Sequence, residues 1–309
     1  MQASIKTSLL FLLCFLMCFK SQAQPVDNKI VIVIIDGARY TETFGDSYHT
    51  FIPKMWALSQ QGTVINKFYN NYFTYTSKAF PALYCGAWTD VEDIVYNGSS
   101  TSHSVLPTIF EYYRKSKNVP STECFFISES FESIWLPSID PDYGENYWPE
   151  FNAVGHSDKE VAIQALTVMA NNHPHLTWVY LDDVDHSGHS GSRTDYLKAI
   201  YTSDKIVGAI WDWIQFDPFY QNTTTLIVTN DHGRHDDQNG GFQGHGCDCE
   251  GCRHIQFLAI GPTIKQNFLS SKYRTIPDLT VTACFLLGVQ PTKTTGSVMY
   301  EIFISENNK

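Results

Sequence analysis

Five side chains are spaced so that they can converge on one crevice: Asp36, Asp185, His189, Asp231 and His232. Each comes shortly after an apolar, β-rich run of the chain. Carboxylates and imidazoles are hard-to-borderline donors, and together they suit Zn²⁺ or, less often, Mn²⁺ or Fe²⁺. The histidines repeat the pattern, since six of the eleven lie between His186 and His254. A single Asp after a strand commonly caps a helix. Three such places in one chain point to a common crevice instead.

The elements that must position these groups are legible as apolar runs at 30–35, 124–127, 176–181, 225–228 and 255–260. Continuous runs of this kind suit strands buried on both faces, as in a parallel sheet. Helical periodicity fills the gaps at 160–170, at 192–214 and at 276–287. The second of these opens on a Ser192-x-x-Asp195 capping box, and the third closes on Gly288. Strands alternating with helices predict an α/β sandwich. In open sheets of that class, ligands bind beyond the carboxyl ends of the strands, where the five side chains fall. The 309 residues read as one domain over 24–309, with the less periodic stretch 99–152 as an insertion or lid.

A hydrophobic share of 43% with only 17% charged residues excludes a disordered, collagenous or coiled-coil chain. The formal net charge of −11, with no basic block, argues against wrapping nucleic acid. An anionic substrate would need a local positive field, and bound metal is the evident source. Residues 1–23 read as a secretory signal peptide: Lys6, an apolar run from Leu9 to Phe19, then Ser21-Gln-Ala23 before a cleavage site. The run is short for a membrane span, and a retained anchor is the alternative. The expected location is secreted or periplasmic, with no stable span after cleavage.

Further motifs occur in a fixed order: Ile-Ile-Asp36-Gly, Thr76-Ser-Lys-Ala-Phe-Pro-Ala-Leu-Tyr-Cys-Gly86, Asp185-His-Ser-Gly-His189, Asn230-Asp231-His232-Gly and Gly244-His245-Gly. The ending Ile276-Pro-Asp-Leu-Thr-Val-Thr-Ala-Cys-Phe-Leu-Leu-Gly288 completes them. In this order the pieces resemble the alkaline phosphatase superfamily. The nearest patterns are its nucleotide pyrophosphatase/phosphodiesterase and single-threonine phosphatase branches. The resemblance spans Ile30 to Gly296 and implies a three-layer sandwich, with a mostly parallel sheet between helices.

It also implies two metal ions, Zn²⁺ or another divalent ion such as Mn²⁺. Asp36, Thr76, Asp231 and His232 match the ligands of one, and Asp185, His189 and His245 those of the other. The Asp185-x-x-x-His189 spacing fits a helical turn, where i and i+4 share a face. Thr76 matches the nucleophile, at a helix start whose free N–H groups would face the transferred group; the plainer alternative is a helix cap. Asn97, 21 residues on, matches an Asn that contacts a phosphoryl oxygen, though Asn97-Gly98 also suits a plain turn. The implied activity is hydrolysis of small phosphate mono- or diesters through a phosphothreonine. Rival readings are a phosphonate or sulfate ester hydrolase on the same scaffold, or a secreted metal-binding protein without turnover. The sulfatase signature, Cys or Ser followed by x-Pro-x-Arg, is missing.

Lys78 stands where relatives often have Pro, either touching a phosphoryl oxygen or lying in solvent. Cys247-Asp-Cys-Glu-Gly-Cys252 directly follows His245. Two readings fit this loop: a disulfide, or a structural Zn²⁺ on three thiolates plus His254. Cys85, Cys124 and Cys284 have apolar neighbours and are expected in the core. His186, His235 and His254 match no ligand position of the family.

Overall fold

A computed structural model describes residues 29–96, 98–129 and 136–304. The signal-peptide segment and Asn97 lie outside the described residues. The first half holds β1 (Lys29–Ile35), α1 (Pro53–Ser59), β2 (Thr63–Ile65), β3 (Phe68–Tyr69) and α2 (Thr76–Cys85). There follow β4 (Val91–Tyr96), β5 (Ser99–Ser104), α3 (Ile109–Lys117), β6 (Cys124–Ser128), β7 (Glu150–Ala153) and α4 (Asp158–Asn172). The second half holds β8 (Leu176–Leu181), α5 (Asp183–His189), α6 (Arg193–Phe216), β9 (Thr224–Thr229) and α7 (Glu250–Arg253). It ends with β10 (His254–Ile255), β11 (Phe257–Ile260), β12 (Phe268–Ser270), β13 (Arg274–Thr275) and α8 (Pro277–Leu286).

Eight strands form the main sheet in the order β12-β2-β11-β9-β1-β8-β6-β7. All neighbours run parallel except β11, which is antiparallel to both β9 and β2. β1 sits at the centre and is buried along its whole length, which is why it reads as an unbroken apolar run. Its side chains alternate between two cores. Ile30, Ile32 and Ile34 pack with α2, α3 and α8 on one face. Val31, Val33 and Ile35 pack with α1, α4 and α6 on the other. Helices on both faces of a largely parallel sheet make the three-layer α/β sandwich that the sequence predicts.

Local chemistry sets the helix ends. Ser192 caps α6 by accepting a hydrogen bond from the Asp195 backbone N–H at 3.3 Å. Gly288, just past α8, takes a left-handed φ of 64°. The apolar run 255–260 is not one strand. It breaks at Gln256, with β10 pairing to β3 and β11 to the main sheet. In the stretch 99–152, β6 and β7 form an edge of the main sheet, whereas β5 pairs with β4 as a separate ribbon and bridges to Leu136. Among the described residues, no helix is long and apolar enough to cross a membrane.

Candidate active site

β8, β1 and β9 lie side by side and parallel. The chain therefore leaves all three at one edge of the sheet, and Asp36, the α5 turn and the Asp231-His232 pair emerge together. Thr76 joins them from α2. It is the first residue of that helix, and Tyr75 holds the cap position. The Thr76 side chain does not cap. Its Oγ1 lies 3.1 Å from His232 Nε2 and 3.5 Å from Asp36 Oδ2. His232 Nε2 is in turn 3.3 Å from Asp36 Oδ1 and 3.5 Å from Asp231 Oδ2. These four residues form one donor set.

Asp185 and His189 share a face of α5, with His189 Nε2 3.2 Å from Asp185 Oδ2. His245 reaches them from the loop before α7. Its Nε2 lies 3.1 Å from His189 Nε2 and 3.7 Å from Asp185 Oδ1. The two sets adjoin, because the His232 and His245 rings stack with centroids 4.0 Å apart. All seven residues matched to metal ligands thus converge. Gly246 lets the His245 loop approach so closely. It has a φ of +102°, and a Cβ there would lie 2.4 Å from the Tyr75 ring.

Backbone carbonyls orient both imidazoles. The Gly233 carbonyl lies 2.8 Å from His232 Nδ1, and the Thr74 carbonyl 2.9 Å from His245 Nδ1. With Nδ1–H donating there, each Nε2 turns its lone pair toward the carboxylates, the arrangement usual for metal-binding histidines.

The electrostatics show a shortage of positive charge. Burial, then the Asp231 and Asp185 carboxylates, push the Asp36 carboxyl well above the ordinary carboxylate range. Burial pushes Asp231 up to about 7. Burial and the His232 imidazole lower His245 to about 4. Asp185 differs. Burial acts to raise it, but His232, Arg234, His245 and His189 together hold it below the usual range. Asp36 Oδ1 and Asp231 Oδ2 are buried without a hydrogen-bond partner. Orphaned carboxylate oxygens beside inward-facing imidazole nitrogens are the donor set a divalent cation requires, so the residues fit the metal sites that the resemblance implies.

Two functional neighbours escape the sequence reading. Tyr180, at the end of β8, donates a 2.5 Å hydrogen bond to Asp36 Oδ2 and so fixes that carboxylate. Arg234 is fully buried. Its guanidinium donates to the Asp185 carboxylate, to the Asp185 carbonyl at 2.5 Å and to the Phe242 carbonyl at 3.1 Å. Gly188 leaves room for it, since a Cβ there would fall 2.2 Å from Arg234 Cζ. Arg234 stands two residues after His232, and a charged residue so close to a buried motif was the available signal. Removing one member of a buried ion pair is costly. Arg234→Met should therefore lower the unfolding free energy of the metal-free protein by about 3–5 kcal/mol in denaturant melts. A loss well under 1 kcal/mol would mean that Arg234 does not hold this turn.

Other candidates are placed elsewhere. Lys78 turns to the surface and pairs with Asp90 at 3.0 Å. His186 is exposed. Cys85, Cys124 and Cys284 are buried as expected. In the Cys247–Cys252 loop no disulfide is formed. Nor is His254 near the thiols. Its ring stacks on Tyr40 and Tyr69, and its Nε2 lies 2.8 Å from the Asn66 carbonyl oxygen. His235 takes the place expected of it.

Solved structures share the fold at low sequence identity. Murine ectonucleotide pyrophosphatase/phosphodiesterase 5, an inactive Thr-to-Ala form in complex with AMP, aligns over 87% of this chain and 97% of its own, with 15% identity and a TM-score of 0.65. The phosphonate monoester hydrolase of Agrobacterium radiobacter aligns over 89% and 77%, with 13% identity and a TM-score of 0.64. A 2-O GAG sulfatase aligns over 89% and 73%, with 12% identity and a TM-score of 0.67. A search of curated protein sequences finds no match. The family model for type I phosphodiesterase / nucleotide pyrophosphatase matches residues 30–241, more than half of the sequence. The chain belongs to that family.

Proposed function

We propose that this protein is an exported, metal-dependent hydrolase of small phosphate mono- or diesters that works through a phosphothreonine at Thr76. The observation that carries the reading is the position of Thr76 Oγ1, at the first residue of α2 and within 3.5 Å of both Asp36 Oδ2 and His232 Nε2. An α-helix leaves its first N–H groups without intrahelical partners, so the start of α2 offers donors and a positive dipole end to a transferred phosphoryl group. The Thr76 hydroxyl gives up its proton as its oxygen bonds to phosphorus, and the ester oxygen takes up a proton and leaves as an alcohol. Water then adds to phosphorus, the Thr76 oxygen–phosphorus bond breaks, and phosphate (or a phosphate monoester, from a diester) leaves as the hydroxyl regains its proton. Asp36, Thr76, Asp231 and His232 would hold one divalent ion, and Asp185, His189 and His245 the other. Bound there, the ions supply Lewis-acid stabilisation of charge on the oxygens and lower the pKa of hydroxyl and water. Asn97 is proposed as a further donor to a phosphoryl oxygen.

Two points favour phosphate over the other esters of the superfamily. The Cys/Ser-x-Pro-x-Arg signature of sulfatases is absent, and the murine neighbour, bound to AMP, is inactive as a Thr-to-Ala form. Purified protein should hydrolyse p-nitrophenyl phosphate or bis-p-nitrophenyl phosphate, and leave p-nitrophenyl sulfate intact. Turnover of the sulfate ester alone would reassign the substrate, and turnover of none would favour a binding protein. Chelation should abolish the activity, and added Zn²⁺ or Mn²⁺ should restore it. Full activity after complete metal removal would overturn the reading.

A further inference from the structure

The loop that delivers His245 runs on into three cysteines that the ester site does not use. In the fold this loop closes on His235, which leaves the other side of the site three residues after His232. His235 Nδ1 lies 3.0 Å from Cys247 Sγ and 3.3 Å from Cys252 Sγ. The two sulfurs are 3.7 Å apart, and the donor atoms of His235, Cys247, Cys249 and Cys252 all lie within 4.8 Å of one another. We propose that these four residues bind a structural Zn²⁺, additional to the two-ion ester site.

The distances separate this reading from a disulfide. A sulfur–sulfur bond is about 2.05 Å long. Tetrahedral zinc, with Zn–S near 2.3 Å and Zn–N near 2.0–2.1 Å, places sulfurs about 3.8 Å apart and sulfur and nitrogen about 3.5 Å apart. The observed sulfur separation of 3.7 Å matches the second set, and the sulfur–nitrogen separations of 3.0 and 3.3 Å lie up to about 0.5 Å inside it. The donors also differ in kind from those of the ester site. Three thiols and one imidazole are a closed, soft ligand set of the structural type, whereas the ester site offers only oxygen and nitrogen.

The surroundings are built for such a site. Cys252 is fully buried, and the Cys249 backbone N–H donates to Cys247 Sγ at 3.3 Å. The two chain segments are already joined by hydrogen bonds from Gly233 N to the Cys252 carbonyl and from His235 N to the Gly244 carbonyl, both 2.8 Å. Zinc at this position would staple the segment carrying Asp231 and His232 to the one carrying His245, and so fix ligands of both sets. Zinc binding at these four residues is independent of the proposed hydrolytic activity.

Cobalt distinguishes this site from its neighbour, because thiolate-to-Co²⁺ charge-transfer absorption requires sulfur ligands. The full chain reconstituted with Co²⁺ should show that band. Cys249→Ser, Cys252→Ser and His235→Ala should lose or weaken it, and His235→Cys should strengthen it. Asp36→Ala, which alters only the ester site, should leave it unchanged, as should His254→Ala. Because a serine variant can fail to fold, the gain in His235→Cys is an independent readout. A disulfide among the three cysteines in peptide mass spectrometry, or reduced thiols without a charge-transfer band, would overturn the proposal. So would a band that depends on His254 and is indifferent to His235.

Discussion

Thr76→Ala should lower kcat/KM for phosphate esters by at least about 10³-fold, roughly 4 kcal/mol of transition-state stabilisation. The size of the effect follows from two tasks meeting in one oxygen. Thr76 Oγ1 faces both Asp36 and His232, so under the proposed mechanism its loss would remove a nucleophile and a ligand together. Thr76→Ser keeps the hydroxyl and should retain measurable turnover. Asn97→Ala, which would lose a single donor to the phosphoryl group, should cost less, about 10–10³-fold. Acid-quenched wild-type protein should carry phosphate on the peptide containing Thr76. An alanine variant that turns over near the wild-type rate would refute covalent catalysis, and direct attack by water would replace it.

Much of this arrangement is legible in the sequence because the fold and the site share one cause. A parallel strand buried on both faces reads as a largely apolar run, and the charged residues that follow it lie at the sheet edge where ligands bind. Asp36 follows β1 in this way, and Asp231 and His232 follow β9. The Asp185-x-x-x-His189 pair is visible for another reason, the 3.6-residue period that returns both side chains to one face of α5. What stays hidden depends on contacts across the chain. Tyr180 reads as one more apolar strand residue until its hydroxyl is found on Asp36, 144 positions away. Arg234 is not singled out by the sequence, and its place beside Asp185 depends on the space that Gly188 leaves for it.

The choice of fourth residue for the thiol loop shows the same limit. His254 lies two positions from Cys252, and sequence distance alone favours it. The β10–β3 pairing sets His254 opposite Tyr69 and turns its ring to Asn66 and the tyrosines. His235, seventeen residues before Cys252, is brought to the sulfurs by the return of the chain. The antiparallel course of β11 and the break at Gln256 are hidden likewise, since an apolar run carries no sign of strand direction.

His245→Ala should reduce turnover of phosphate esters by at least about 10²-fold, while His254→Ala should keep most of it. The outer-shell partner of a metal-binding histidine is commonly worth 10–100-fold, and the ligand itself is worth no less. His245 Nε2 meets both His189 and Asp185, and the Thr74 carbonyl holds the opposite nitrogen. The stacked His232 ring is not placed to take over, because it already directs its Nε2 to Asp36 and Asp231. His254 stacks on two tyrosines and its Nδ1 lies 3.1 Å from Glu250 Oε1, outside both donor sets, so its removal should appear as a modest loss of stability, about 0.5–1.5 kcal/mol for each aromatic contact. Steady-state kinetics at saturating Zn²⁺, beside denaturant melts of both variants, would separate the two effects. The reverse pattern, with His254 essential and His245 dispensable, would mean that the second donor set is misassigned.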